Sequence, residues 1–322
     1  NKKIAYLLVF FVPFLVYSPT LFGTFYYDDN VIFFGHQVNV LAENPLMVFK
    51  GKMHYLPGAP RSLHVFFLLV LYKLFGPWPL PYHAFNLILH SLTTLLLYMV
   101  LRRVIGEGQN GADGYAAPDE KSSRIMDFIK NNPGNMAALT GALIFGLHPV
   151  HLENIVFVTL GGTDLFYTFW AILSLVLYIK FRDSLSRARY VSLALSVLTL
   201  YFALLSKEAA VAFVLIYPLF ELFIIKKGPF SRKTLTGLVW SLPYIVLIFV
   251  HKREFLFGTA TAVFGQAMSH GQGEKGIGEI FKNLGFFAKS LVFPYPHYSF
   301  IKELGNSPLY YTFALLLVLA AV

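Results

Sequence analysis

Apolar runs of membrane-spanning length recur along the whole chain, and no other feature restricts its fold as tightly. A helix needs about 20 predominantly apolar residues to cross a bilayer. Runs that meet or approach that length cover roughly 4–24, 82–101, 135–148, 163–181, 190–205, 209–225, 235–251 and 307–322. Composition agrees: 56% of residues are hydrophobic, 13% are charged and the mean hydropathy is +0.60, against roughly 25% charged residues in soluble domains. The expected fold is an all-α, polytopic helical membrane protein. Residues 62–76 are also apolar, but Pro60, Gly76, Pro77, Pro79 and Pro81 bracket a run too short to cross comfortably. A helix lying on the membrane surface is expected there.

The charges set the orientation. With the N-terminus cytoplasmic, the inner segments collect 15 of the 26 basic residues against six carboxylates, as the positive-inside rule requires. If residues 62–76 also crossed, every later loop would invert and the bias would reverse. The net charge of +9 therefore reads as topology signal and anionic-headgroup contact, and nucleic acid is excluded as a partner. Lys2 and Lys3 followed by Ile4 to Val16 have the charge order of a signal peptide without a small-residue cleavage site, so a retained signal anchor is expected. With no cysteine, disulfides, thiolate nucleophiles and thiolate metal sites are impossible. The chain opens without Met and stops inside the apolar run Tyr311 to Val322, so a C-terminal continuation is expected, with a possible protein partner through it.

Residues 1–322 are read as one catalytic membrane domain with a first outer loop at 25–80, a Gly-rich cytoplasmic loop at 104–134 and a second large outer loop at 252–306. Several ionisable residues then fall on the outer side, although a charge at lipid depth costs about 2.5 to 3.5 kcal/mol on insertion scales. Asp28 and Asp29 follow the first span behind Phe25, Tyr26 and Tyr27; they suit a proton acceptor beside a hydroxyl or cation ligand, or else the start of a solvated turn. His148, His151 and Glu153 allow a metal site, a helix-end cap or a polar substrate contact, though Pro149 and the spacing disfavour a helical zinc motif. Thr163 and Asp164 can cap a helix whose N-terminus receives an anion. Lys207 and Glu208 read either as a salt-bridged turn or as a phosphate-binding lysine and its neighbour. Arg61 offers a bidentate guanidinium to phosphate or carboxylate.

Carboxylates, cations and aromatics gathered on one face of a lipid-embedded bundle fit group transfer from a lipid-linked phosphate donor. The ordered set Tyr27-Asp28-Asp29, Arg61-Ser62-Leu63, Tyr82-His83 with Asn86 and His90, His148-Pro149-Val150-His151-Leu152-Glu153, Gly162-Thr163-Asp164-Leu165 and Leu205-Ser206-Lys207-Glu208 resembles the membrane half of the transmembrane and tetratricopeptide-repeat O-mannosyltransferases and their bacterial relatives, of the GT-C glycosyltransferase superfamily. The likeness covers most of residues 20–220, with a fainter echo from Phe293 to Tyr298. Gly162 stands where the family usually has Arg, Ser62 where Pro often follows Arg, and the repeats are absent from this chain. The resemblance implies a GT-C-like bundle and an inverting transferase using a polyprenyl-phosphate-linked sugar, with a protein or glycan acceptor and membrane lipids as partners. It implies catalysis by Asp28 or Asp29, donor phosphate at Arg61 and Lys207, and acceptor or sugar contacts from His148, His151, Glu153, Asp164, Glu208, His297 and Tyr298. Dependence on a divalent metal stays open, and a bacterial inner membrane with a periplasmic active site is the expected location. A transporter would put such groups near the midplane, often with an internal repeat, and no repeat is found. A non-catalytic membrane scaffold is the other rival.

Overall fold

The computed structural model describes residues 2–26, 29–30, 36–50, 61–106, 133–224 and 232–254, and every regular element among them is helical. Helix α1 (Lys2–Tyr17) runs into a 3-10 turn (Ser18–Phe22). Then come α2 (His36–Glu43), a 3-10 turn (Pro45–Lys50), α3 (Ser62–Phe75) and α4 (Pro79–Gly106). They are followed by α5 (Pro133–Leu147), α6 (His151–Val156), α7 (Leu160–Asp183) and α8 (Arg189–Ser206). A 3-10 segment (Glu208–Leu215), one α turn, α9 (Ile216–Leu219), a π turn (Phe220–Ile224) and α10 (Arg232–Glu254) complete the order. The chain divides into two compact units, Asn1–Val250 and His251–Val322. Of the second, only His251 to Glu254 are described, so the expected span at 307–322, the loop at 252–306 beyond Glu254, His297 and Tyr298 lie outside the described residues, as do Asp28 and most of the loop at 104–134.

Among the described residues, four stretches are long and apolar enough to cross a membrane: Lys3–Phe22, Pro79–Ile105, Gly161–Asp183 and Arg189–Ser206. The protein is an all-α, polytopic membrane protein. Helix α3 carries 14 residues, about 21 Å at 1.5 Å per residue, short of a hydrocarbon core roughly 30 Å thick. It stops at Gly76, whose φ of 62° and ψ of −155° suit glycine alone and let its N–H close onto Tyr72 O at 2.7 Å. The expected run at 209–225 is broken rather than a regular helix. Pro218 lacks an N–H and its ring crowds the carbonyl one turn earlier, and the 3-10 and π turns on either side absorb the misfit.

Packing follows membrane rather than aqueous rules. Exposed Ile4, Leu7, Leu8, Phe11 and Leu15 form one face of α1, while Ala5 and Val9 on the other pack against Ala138 and Ala142 of α5 and Tyr98 of α4. Small residues let helices approach where lipid tails remove the usual hydrophobic drive. At Gly146 a Cβ would come within 2.7 Å of Thr94 Cγ2 and 2.8 Å of Pro13 Cγ, so α1, α4 and α5 meet there because that residue has no side chain. Buried hydroxyls on α4 return to their own helix: Ser91, Thr93 and Thr94 donate to the carbonyls four residues back.

A second buried polar set ties the broken segment to its neighbours. Ser174 and Ser196 bond to each other, to Tyr217 and to Tyr244, whose rings stack at 3.7 Å. Glu221, fully buried, accepts from Tyr178 at 2.6 Å and from Arg182 Nη2 at 2.8 Å. Gly237 leaves room for that carboxylate, since a Cβ there would overlap it. Irregular backbone at this depth is tolerated because it is enclosed in protein.

Candidate active site

The ends of α1, α4, α5, α7 and α8 named in the motifs meet at one end of the bundle, and Asp29 is the knot that joins them. Its side chain is fully buried. Asp29 Oδ2 accepts the Val158 N–H at 3.0 Å, and Oδ1 accepts the Thr159 N–H at 2.9 Å and the Thr159 hydroxyl at 2.6 Å. A carboxylate at the amides leading into α7 satisfies orphan donors and complements the positive end of the helix dipole. Capping of this helix was expected from Thr163 or Asp164. The structure assigns it instead to Asp29, about 130 residues earlier, while Thr163 donates back to Thr159 O at 2.6 Å.

Thr163 also fixes an imidazole that the motifs did not single out. Its one hydroxyl proton goes to Thr159 O, so the 2.9 Å contact with His64 Nδ1 must be donated by the ring. His64 therefore carries its proton on Nδ1 and presents Nε2 as an acceptor. Burial, and then the nearby Arg61 charge, lower its pKa to about 3, so it is neutral at physiological pH. Asn86, on α4, donates through Nδ2 to Ile155 O at 3.2 Å and Phe157 O at 3.4 Å. Asn86 Oδ1 and His64 Nε2 are both buried without a hydrogen-bond partner among the described residues. They converge on Gly162, where a Cβ would lie 2.9 Å from the first and 3.3 Å from the second. The departure at this position has a packing reason: no side chain fits. Gly162→Ala is expected to destabilise the protein by about 1 to 3 kcal/mol, the cost of overpacking, read as a lower denaturation midpoint in detergent; an unchanged midpoint would contradict this packing. Neighbouring Gly161 is tighter still, its Cβ meeting Asn154 Cα at 2.7 Å and Glu153 O at 2.8 Å, so α6 and α7 abut through backbone.

The histidine turn is built from the same end. His148 Nδ1 accepts the Val150 N–H at 3.2 Å and its carbonyl accepts from Tyr17 at 2.9 Å, so His148 pins the α5–α6 corner to α1. His151 packs 4.4 Å from the Phe145 ring and 5.0 Å from His90, whose Nε2 donates to Gly146 O at 2.8 Å. Burial and then the His90 and His148 rings lower the His151 pKa to about 3. Among the described residues, no three His, Asp or Glu side chains are grouped so as to hold a metal ion. His64 and His151 have a shared consequence. The unfolded chain protonates its imidazoles near pH 6.5 and the folded one near pH 3, so between these values the unfolded state binds more protons and stability falls as pH drops. Thermal unfolding is expected at lower temperature at pH 4.5 than at pH 7, with a smaller difference in His64→Gln; identical pH slopes would contradict burial of the neutral ring.

Lys207, at the end of α8, pairs with Asp164 Oδ1 at 2.5 Å and lies 5.9 Å above the Tyr167 ring. Both ionic partners are partly exposed. Lys207 thus bridges to Asp164 of α7, and the side chain of adjacent Glu208 lies outside the described residues. Arg61 precedes α3, within electrostatic reach of His64. Glu153 is exposed on α6. His83 Nε2 bonds Thr24 O at 3.2 Å, joining the start of α4 to the segment before Asp29. The only forewarning of His64 was a polar residue in an apolar helix, three positions after Arg61.

No family model matches the chain, and no solved structure matches it. Two curated proteins are similar to it. Protein O-mannosyl-transferase Tmtc1 of Drosophila melanogaster is 25% identical over 213 residues, 64% of this chain and 21% of that protein. Protein O-mannosyl-transferase F38B6.6 of Caenorhabditis elegans is 24% identical over 185 residues, 55% of this chain and 23% of that protein. The chain is related to O-mannosyltransferases of this type. It spans about a fifth of the length of the curated relatives it matches. Both are animal proteins, which lends the expected bacterial origin no support.

Proposed function

We propose that this chain is the catalytic membrane portion of a glycosyltransferase that moves a sugar, with inversion, from a polyprenyl-phosphate donor to an acceptor hydroxyl, with protein Ser or Thr the favoured acceptor. The observation that carries the reading is the meeting of Asp29, His64, Asn86, the His148–His151 turn and the Asp164–Lys207 pair at one end of the bundle, in a chain related to mannosyltransferases. The site faces the non-cytoplasmic side, the orientation favoured by the basic residues.

Asp29 is fully buried and accepts from three protein donors, so we assign the proton acceptor of the acidic pair to Asp28. The acceptor hydroxyl oxygen bonds to the anomeric carbon, the bond from that carbon to the phosphate oxygen breaks, and polyprenyl phosphate leaves with the electron pair. The hydroxyl proton passes to the Asp28 carboxylate. Arg61 and Lys207 neutralise the departing phosphate; Asp164, bonded to Lys207, holds its ammonium in position while two of its N–H groups stay available. His64 and Asn86 stand behind the site, where they pack against Gly162 and fix the approach of α3 and α4 to α7. His148, His151, Glu153 and Glu208, with His297 and Tyr298, complete the acceptor and sugar contacts.

The test of this reading is donor affinity. Arg61→Ala and Lys207→Ala are each expected to weaken binding of a polyprenyl-phosphate sugar by about 1.5 to 3 kcal/mol, the worth of a charged hydrogen bond. Arg61→Lys is expected to recover only part, since the planar fork is lost. Unchanged affinity in both alanine variants would remove these residues from the phosphate site.

A further inference from the structure

At the opposite ends of α4 and α7 from Asp29, a cleft of about 390 Å³ opens between the two helices, lined by Met99, Arg102, Arg103, Ile179, Lys180 and Asp183 among others. We propose that it binds the headgroup of an anionic glycerophospholipid. The floor is apolar, with Val176 and Ile179 on one wall and half-exposed Met99 on the other, and the rim carries three cations against one carboxylate. These cations occupy the last turns of two spans, the level at which headgroups lie. Arg103 is engaged by Asp183 through two short bonds, Nε to Oδ2 at 2.7 Å and Nη2 to Oδ1 at 2.6 Å. That pair offsets the single carboxylate of the rim, so the charge left over in the cleft is positive and comes from Arg102 and Lys180. Arg102 Nη1 donates to Tyr6 OH at 2.9 Å and its guanidinium lies 5.7 Å from that ring, which holds it at the rim with other donors to spare. Lys180 is exposed and forms no ion pair among the described residues.

Basic residues in a last helical turn also complement the helix dipole, and that alone would leave no cleft between them. Here the volume suits a glycerophosphate group and its first methylenes, and Met99 and Val176 continue the apolar wall one turn deeper into the bundle. The phosphate lies between Arg102 and Lys180, with Ser184 at the cleft edge. The site does not depend on the transferase reading, and in the orientation favoured by the charges it faces the cytoplasmic leaflet.

The experiment titrates phosphatidylglycerol into phosphatidylcholine-containing micelles of the full chain and counts bound lipid by native mass spectrometry. Preferential retention of phosphatidylglycerol is expected. Lys180→Gln is expected to weaken it roughly 5-fold, and Lys180→Gln with Arg102→Gln roughly 30-fold, from about 1 kcal/mol per cation at a membrane surface. Lys180→Arg should keep it, as should Arg187→Gln in the exposed turn between α7 and α8. An equal loss in Arg187→Gln would mean diffuse surface charge and overturn the site. Equal retention of both lipids, or displacement by millimolar inorganic phosphate, would overturn it too, the latter by revealing a free-phosphate site. Lys180→Gln alone decides the matter if the double variant fails to fold.

Discussion

Asp28→Asn is expected to lower sugar transfer on the order of 100-fold to 10,000-fold, the range associated with removing a positioned proton acceptor, while donor binding and thermal stability stay near those of the unaltered protein. The assignment comes from its neighbour. The Asp29 carboxylate is enclosed and accepts from Val158 and from Thr159 twice, which leaves an incoming hydroxyl no approach to it. In the proposed reading the two adjacent carboxylates divide the labour: Asp29 holds the entry to α7, and Asp28 is kept for chemistry. A loss of transfer that tracks a loss of folded protein in Asp28→Asn would contradict this division.

The converse result is expected at Asp29. In Asp29→Ala three buried donors lose their acceptor at once, and at about 1 to 3 kcal/mol for each unsatisfied group a destabilisation of about 3 to 9 kcal/mol is expected, enough to unfold much of a marginally stable protein. Asp29→Asn retains the oxygen that serves Thr159 but turns an amide N–H toward the Val158 N–H, so a smaller loss of about 1 to 3 kcal/mol is expected. The measurement is the denaturation midpoint in matched detergent. If Asp29→Ala unfolds like the unaltered protein yet loses transfer, Asp29 is the base and the roles reverse.

The sequence revealed most of the membrane architecture and less of the site. Long apolar runs mark α1, α4, α7 and α8 because lipid demands continuous helices of that length, and the prolines around α3 mark a helix that stops short. Pro218 stood in plain sight, yet the change from 3-10 to π winding around it depends on Tyr217 and Glu221 finding Ser174, Tyr178 and Arg182 on neighbouring helices. Charge–charge partners were legible only as membership of one face. That Lys207 would pair with Asp164, that Asp29 would cap a helix starting at Leu160, and that His64 would meet Thr163 are outcomes of helix packing across about 40 to 130 residues of sequence. Local spacing carries no information about such pairs.

The most direct test of the central claim is sugar transfer by the full chain in native membranes, supplied with a labelled polyprenyl-phosphate mannose and a Ser- and Thr-containing acceptor peptide. The account predicts a labelled peptide whose sugar has the anomeric configuration opposite to that of the donor, at a rate that Asp28→Asn abolishes and Arg61→Ala reduces. No transfer from any polyprenyl-phosphate sugar by the folded, unaltered protein would contradict it and leave a membrane scaffold as the reading.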